Sequence, residues 1–254
     1  MTDETPATIP GAEPWSHEGG PVGVLVLHGF TGNPSSMRPV AEAVAAAGHG
    51  VELPRLPGHG TTVEDLAGTT WADWLAEAEA AYQRLASRSE QVVVVGLSMG
   101  GALTAWLGAE HPEVAGLVCI NPIVSTPEGM REAVEQVLES GADRMAAIGS
   151  DIAKPGVVES SYEETPLRPL LSLFDAASEL DGRLSSITSP LLVITSPQDH
   201  VVPPENSDLL AQRAAGPVER MTCDRSYHVA TLDYDGEAIV AAVLDFVQKV
   251  TAAG

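Results

Sequence analysis

The pentapeptide Gly96-Leu97-Ser98-Met99-Gly100 constrains the fold of this 254-residue chain more than any other feature. It follows an apolar run at residues 91–95 and precedes a helix-forming run at residues 101–109. A strand, a turn too tight for flanking side chains and a helix N-terminus make up a nucleophile elbow. The glycines allow the sharp bend, and Ser98 is expected in a strained conformation at the carboxyl edge of a sheet. The motif predicts serine chemistry; the alternative is a tight turn with an incidental serine.

An acid and a base are expected at the same edge. A serine hydroxyl becomes an effective nucleophile when an imidazole removes its proton and a carboxylate orients that imidazole. Parallel-sheet hydrolases carry the three in the order serine, acid, histidine. Asp199 follows the strand-like residues 190–195, and His228 follows the strand-like residues 218–222. The order therefore predicts Ser98 as nucleophile, Asp199 as acid and His228 as base.

An oxyanion hole is expected upstream. The strand-like residues 22–27 run into His28-Gly29-Phe30, a strand-to-helix loop. The backbone N–H groups of Phe30 and Met99 could together bind the negative oxygen of a tetrahedral intermediate. The alternative for His28-Gly29 is a strand end with a permissive glycine.

Helix and strand signals alternate along the chain. Further strands are predicted at residues 50–53 and 114–120, and helices at 35–47, 71–86, 101–110, 128–140, 204–215 and 236–249. This rhythm predicts an α/β fold, with a mostly parallel central sheet flanked by helices and right-handed crossovers. Residues 1–20 have room for only one short edge strand.

Five segments of the chain form a recognisable set: His28-Gly29-Phe30-Thr31-Gly32, the run at 53–60, Gly96-Leu97-Ser98-Met99-Gly100-Gly101, the run at 199–204 and the run at 226–233. Together they resemble the bacterial monoacylglycerol lipases and related carboxylesterases of the α/β-hydrolase superfamily. The resemblance covers nearly the whole chain after residue 20. It implies an α/β-hydrolase fold with a lid inserted after the sixth strand, and a preference for a single acyl chain esterified to glycerol.

The lid is expected at residues 123–173, with the hydrolase core at residues 1–122 and 174–254. Its apolar residues are too numerous for a solvated loop, so some, with Ile148 among them, should line an acyl-chain tunnel and others pack the lid onto the core: Met130, Val134, Val137, Leu138, Met145, Ile148, Leu167, Leu170 and Leu171. The resemblance implies that Glu159 contacts the glycerol hydroxyls of the substrate. A plain solvated carboxylate is the alternative.

Composition excludes several partners. The 35 acidic and 13 basic residues give a net charge of −22, which repels nucleic acid and anionic membranes. Solubility explains this charge, with adaptation to high salt as the alternative. There is no apolar run of about 18 residues and no secretory signal, so no stable membrane insertion and a cytoplasmic location are expected.

Cys119 and Cys223 are expected to be reduced packing residues. Without metal-ligand spacing or a GxGxxG motif, we expect no metal and no dinucleotide cofactor.

The remaining histidines are not expected to act as the base. His200 adjoins Asp199, and neighbouring side chains on an extended segment diverge. The others are expected at the surface or at helix ends: His17, His49, His59 and His111. The sequence thus predicts a serine hydrolase acting on a small acyl ester such as monoacylglycerol, and leaves its oligomeric state open. A general carboxylesterase or thioesterase, and a non-catalytic protein that binds a small apolar ligand, are the alternatives.

Overall fold

A computed structural model describes residues 6–252. The strands of this part of the chain are β1 (Trp15–His17), β2 (Val22–Leu27), β3 (Gly50–Leu53), β4 (Gln91–Leu97), β5 (Gly116–Ile120), β6 (Arg144–Ala146), β7 (Glu164–Pro166), β8 (Leu191–Thr195) and β9 (Val218–Thr222). Seven of them form one sheet in the order β1-β3-β2-β4-β5-β8-β9. Every pairing in this sheet is parallel except that of β1 with β3. The mostly parallel α/β fold predicted from the sequence is confirmed.

Helices cover both faces of the sheet. They are α1 (Arg38–Ala46), α2 (Val63–Ala67), α3 (Trp71–Ala86), α4 (Met99–Glu110), α5 (Met130–Glu139), α6 (Leu167–Asp181), α7 (Glu205–Arg213) and α8 (Gly236–Thr251). Helices α1 and α8 pack with one apolar cluster, and α3, α4 and α6 pack with the other. Because both faces are covered, β2, β4 and β5 read as continuous apolar runs rather than as alternating ones. Within residues 6–252, no helix combines the length and apolar character needed to cross a bilayer.

Local sequence signals explain where several elements begin. Helix α3 starts directly after Thr70, whose N–H donates to the Asp73 carboxylate at 2.8 Å in a capping box. Asn33 caps a short 3₁₀ turn, Pro34–Ser36, that precedes α1. The single helix expected at residues 35–47 is therefore divided, with α1 proper beginning at Arg38. The strand and the helix around Ser98 both extend further than the sequence predicted. Strand β4 continues to Leu97 instead of ending at residue 95, and α4 starts at Met99 instead of residue 101.

The insertion follows β5, which is the fifth strand in chain order and not the sixth that the resemblance implied. The difference arises because the described residues before Val22 contribute only one short strand, β1, as their length and composition allow. The insertion contains α5 and an antiparallel β6–β7 pair that the sequence did not predict. Its expected end at residue 173 falls inside α6, which continues without interruption to Asp181.

Candidate active site

Ser98 is the single residue between the end of β4 and the start of α4. Its backbone has φ 58° and ψ −117°, a conformation that is rare for a residue with a side chain. The Ser98 N–H donates to the carbonyl of Ile120 at 2.9 Å, which ties the turn to the end of β5. The strained backbone conformation expected of a nucleophile elbow is therefore present at Ser98.

The two flanking glycines make this turn sterically possible. A methyl group at Gly96 would lie 2.0 Å from the carbonyl oxygen of Gly100, and one at Gly100 would lie 2.3 Å from the carbonyl oxygen of Leu27. Both contacts are with backbone, which cannot rotate away as a side chain can. Glycine is therefore required at both positions, because the first turn of α4 packs directly against β4 and the end of β2.

Asp199 and His228 are brought together by the loops after β8 and β9. His228 Nδ1 lies 2.6 Å from Asp199 Oδ2, and the side chains are 9% and 1% exposed. The other oxygen of Asp199, Oδ1, accepts the N–H groups of Val201 and Val202, each at 2.8 Å. An ionised Asp199 requires a proton on Nδ1, so Nε2 of His228 is free to accept one.

The loop after β2 lies beside the serine. A methyl group at Gly29 would lie 3.4 Å from Cβ of Ser98 and 3.9 Å from its Oγ. Met99 is the first residue of α4, so its N–H has no carbonyl partner within the helix. The loop that leads to Phe30 therefore lies next to Ser98, and the Met99 N–H is left without an acceptor inside the helix.

One apolar cavity of about 150 Å³ opens above Ser98. His228 and Phe30 also line this cavity. Its apolar wall comes mainly from the insertion and α6: Ile123, Pro127, Met130, Ala147, Ile148, Leu170, Leu173 and Phe174. Ile148 is 66% exposed and Met130 is 41% exposed, so they lie where the cavity meets solvent. Other apolar residues of the insertion, such as Val134 and Leu167, are buried in the core instead.

Glu159 also lines the cavity. Burial raises the pKa of its carboxyl to about 7, and the charge of His228 offsets part of this rise. No hydrogen bond contributes to the shift. Gly32 makes room for the side chain, because a methyl group there would lie 2.7 Å from Oε1 of Glu159. The Glu159 carboxyl group therefore borders the apolar cavity without a hydrogen bond from any other side chain or N–H group of residues 6–252.

Asn121 is a further residue of the site that the sequence analysis missed. It follows β5 with φ 43° and is 3% exposed. Its Oδ1 accepts the Ser196 N–H at 2.8 Å, and its Nδ2 donates to the His228 carbonyl at 2.8 Å. It therefore joins the loop that carries the acid to the loop that carries the base. A signal existed, since Asn121 is polar and follows an apolar strand at the edge where Ser98 and Asp199 were expected.

His59 is not at the surface, as the sequence analysis expected, but fully buried. Gly58 and Gly60 have positive φ values of 75° and 65°, which turn the 57–60 segment inward. There the His59 ring packs edge-on against Trp74 at 5.5 Å and against His28 at 5.1 Å. The cluster supports the loop that carries Phe30.

His200 lies outside the cavity wall. Its side chain is 59% exposed, and its Nδ1 lies 2.8 Å from Oδ1 of Asp151. It makes no contact that would let it replace His228 as the partner of Asp199. Cys119 and Cys223 are both buried and free, as expected.

Comparison with known proteins shows similarity along almost the whole chain. The family model described as "Serine aminopeptidase, S33" matches residues 22–235. A thermostable monoacylglycerol lipase of Bacillus sp. (strain H-257) is 44% identical over 253 residues, which is 98% of this chain and 99% of the relative. A carboxylesterase of Bacillus subtilis (strain 168) is 27% identical, over 93% of this chain and 96% of the relative.

Solved structures share the architecture. One from the metagenome-derived lipolytic enzymes LipS and LipT superposes with a TM-score of 0.92 at 40% identity, over 96% of this chain and 100% of the other. The monoacylglycerol lipase of Paleococcus ferrophilus superposes with a TM-score of 0.74, over 94% of this chain and 100% of the other. At 17% identity, the second similarity shows the fold alone.

Proposed function

The chain belongs to the serine aminopeptidase S33 family of serine hydrolases, and we propose that it hydrolyses monoacylglycerol to glycerol and a free fatty acid. The observation that carries this proposal is the apolar cavity above Ser98, in whose wall the Glu159 carboxyl group has no hydrogen-bond partner among residues 6–252. The cavity offers room for one acyl chain. The carboxyl group offers an acceptor for the hydroxyls of the glycerol head group. The similarity to the Bacillus monoacylglycerol lipase supports the same substrate.

In the proposed reaction Ser98 Oγ attacks the ester carbonyl carbon, and His228 Nε2 takes the hydroxyl proton. Asp199 holds the imidazole in the tautomer with a proton on Nδ1, and stabilises the imidazolium that forms. The N–H groups of Phe30 and Met99 donate to the oxyanion of the tetrahedral intermediate. Collapse of the intermediate breaks the ester bond, and His228 gives its proton to the departing glycerol oxygen. Water activated by His228 then attacks the acyl-enzyme, which releases the fatty acid and restores Ser98.

The volume of the cavity limits the length of the acyl chain that it can enclose. A cavity of about 150 Å³ holds roughly one benzene ring, or about six carbon atoms. Longer chains would extend past Met130 and Ile148 at the mouth, which supports a role for Ile148 in binding the substrate. Di- and triacylglycerols carry further acyl chains, which a cavity of about 150 Å³ cannot hold beside the first. We therefore expect monoacylglycerols of medium chain length to be the best substrates.

Glu159→Ala tests the role of the head-group contact. It should lower kcat/KM for monoacylglycerol by a factor that corresponds to a loss of about 1–3 kcal/mol in transition-state binding. This is the usual contribution of a hydrogen bond to a charged group. A nitrophenyl ester with the same acyl chain has no glycerol hydroxyls, and its kcat/KM should be nearly unchanged. Equal losses on both esters would show that Glu159 supports the lid instead. Rapid triacylglycerol hydrolysis by the wild-type protein would contradict the one-chain cavity.

A general carboxylesterase is the second candidate, favoured by the exposed mouth of the cavity and by the similarity to the Bacillus subtilis carboxylesterase. A carboxylesterase would hydrolyse simple alkyl esters and monoacylglycerols of equal chain length at similar kcat/KM. A profile over both ester classes separates the two functions. Absence of turnover on every ester would favour a non-catalytic ligand-binding protein.

A further inference from the structure

We propose that Asp151, a residue of the insertion, is a positioning residue that holds the backbone of the catalytic histidine. The inference rests on the proposed function, because it concerns the base of the same reaction. Asp151 belongs to a segment that the chain reaches 77 residues before His228. Its side chain is 10% exposed.

The carboxylate of Asp151 joins the two loops that carry the acid and the base. Its Oδ2 accepts the N–H of His228 at 3.0 Å and the N–H of His200 at 3.1 Å. Its backbone carbonyl accepts the N–H of Val229 at 3.1 Å. His200 directly follows Asp199, so one carboxylate oxygen fixes the spacing between the acid loop and the base loop.

A second carboxylate, on the loop that carries His228, binds the insertion in return. Asp233, which is 4% exposed, accepts the N–H groups of Ala153 and Lys154 from the insertion at 2.6 and 2.9 Å. It also accepts the N–H of Tyr227, next to His228, at 2.9 Å. The segment 151–154 and the segment 227–233 thus bind each other through buried carboxylates.

The peptide groups of His228 are held from two sides. Asn121 of the core binds its carbonyl, and Asp151 of the insertion binds its N–H. The imidazole has only its side-chain torsions to move once both are fixed. A displacement of about 1 Å in a catalytic group can cost about 10²-fold in rate, so the loss of either anchor should be visible in kcat. The insertion therefore contributes to the catalytic geometry as well as to the cavity wall.

Two substitutions separate anchoring from other effects. Asp151→Ala removes the acceptor, whereas Asp151→Asn retains an oxygen that can accept the same N–H groups. We expect Asp151→Ala to lower kcat by about 10- to 100-fold. Binding of a medium-chain alcohol as a competitive inhibitor does not need the base, so its inhibition constant should stay within about twofold. Asp151→Asn should recover most of kcat. Asp143→Ala is the matched control, because that carboxylate of the insertion is 77% exposed.

Proton NMR reports on the hydrogen bond between His228 and Asp199 itself, separately from the overall stability of the protein. The proton in the 2.6 Å bond between His228 and Asp199 should give a strongly deshielded signal in the wild type, in Asp151→Asn and in Asp143→Ala. In folded Asp151→Ala it should shift upfield or broaden. If that variant does not fold, Asp151→Glu replaces it, since it retains the charge but displaces the acceptor by one methylene group. It should show the same changes to a smaller degree.

The outcomes distinguish this inference from the proposed function. Wild-type kcat and an unchanged NMR signal in Asp151→Ala, with activity abolished in Ser98→Ala, would overturn the inference alone. Equal loss in Asp151→Ala and Asp143→Ala would also overturn it. Wild-type turnover in Ser98→Ala would overturn the proposed function itself.

Discussion

Acidification should destabilise this protein through His28, whose two ring nitrogens are both occupied. Nε2 accepts the N–H of Leu56 at 3.1 Å, so the single proton of the neutral ring lies on Nδ1 and is donated to the carbonyl of Gly29 at 2.9 Å. A second proton would place a donor on Nε2 facing the donor of Leu56. Burial lowers the pKa of His28 from 6.5 to about 4.

The magnitude follows from this pKa difference. In the unfolded chain His28 binds a proton as the pH falls below about 6.5, whereas in the folded protein it stays neutral until about pH 4. The unfolded state therefore binds more protons in this window, and the free energy of unfolding falls as the pH falls. Each unit of pKa difference corresponds to about 1.4 kcal/mol, so the loss approaches about 3.5 kcal/mol below pH 4. At pH 4 itself, where half of the folded protein is protonated at His28, the loss is about 3 kcal/mol. Burial also holds the pKa of His59 well below its usual value, which adds a loss of the same sign.

Urea denaturation followed by tryptophan fluorescence between pH 7 and pH 4 measures this loss. Carboxylates titrate in the same range, so the wild type must be compared with His28→Asn, which has no ionisable group at that position. The wild type should lose about 3 kcal/mol more than the variant over this range. A pH dependence that is the same in both proteins would refute the argument.

Four further changes test the site. Gly96→Ala should impair both folding and activity, because its methyl group would lie 2.0 Å from a backbone oxygen, whereas Gly68→Ala, whose closest contact is 3.4 Å, should be tolerated. Asp199→Asn should lower kcat by about 10⁴-fold by favouring the wrong imidazole tautomer, measured on a nitrophenyl ester. His200→Ala should retain most of that activity; if it abolished turnover while His228→Ala spared it, the assignment of the base would be wrong. Since the pKa of Glu159 is about 7, the ratio of kcat/KM for monoacylglycerol to that for a nitrophenyl ester should rise as the pH increases through 7, and a ratio that rises equally in Glu159→Gln would exclude Glu159 as its cause.

Elements with strong local signals could be predicted closely from the sequence. Helix α3 has the predicted bounds because Thr70 caps its start and apolar residues recur at helical spacing. Strand β9 also has the predicted bounds. The order of Ser98, Asp199 and His228, each after a strand, placed all three at one edge because parallel strands end on the same side.

Features that depend on contacts between distant segments could not be predicted in this way. The bond from Asn121 to His228 joins residues 107 positions apart, and no local pattern specifies it. The burial of His59 depends on its contact with Trp74 and on two glycines with positive φ. The residues around His59 are typical of a turn, and a turn is usually expected at the protein surface. The pair of β6 with β7 forms from two three-residue strands, which are too short for a periodic signal.

Trapping the covalent intermediate would show whether Ser98 attacks the ester carbonyl. The wild-type protein would be mixed with a medium-chain nitrophenyl ester, quenched with acid within milliseconds, digested and analysed by mass spectrometry. We expect the mass of one acyl group on the peptide that contains Ser98, with Ser98→Ala folded, unlabelled and slower by a factor of about 10³ or more. An unlabelled Ser98 peptide together with near wild-type turnover in a contamination-checked Ser98→Ala protein would contradict the account.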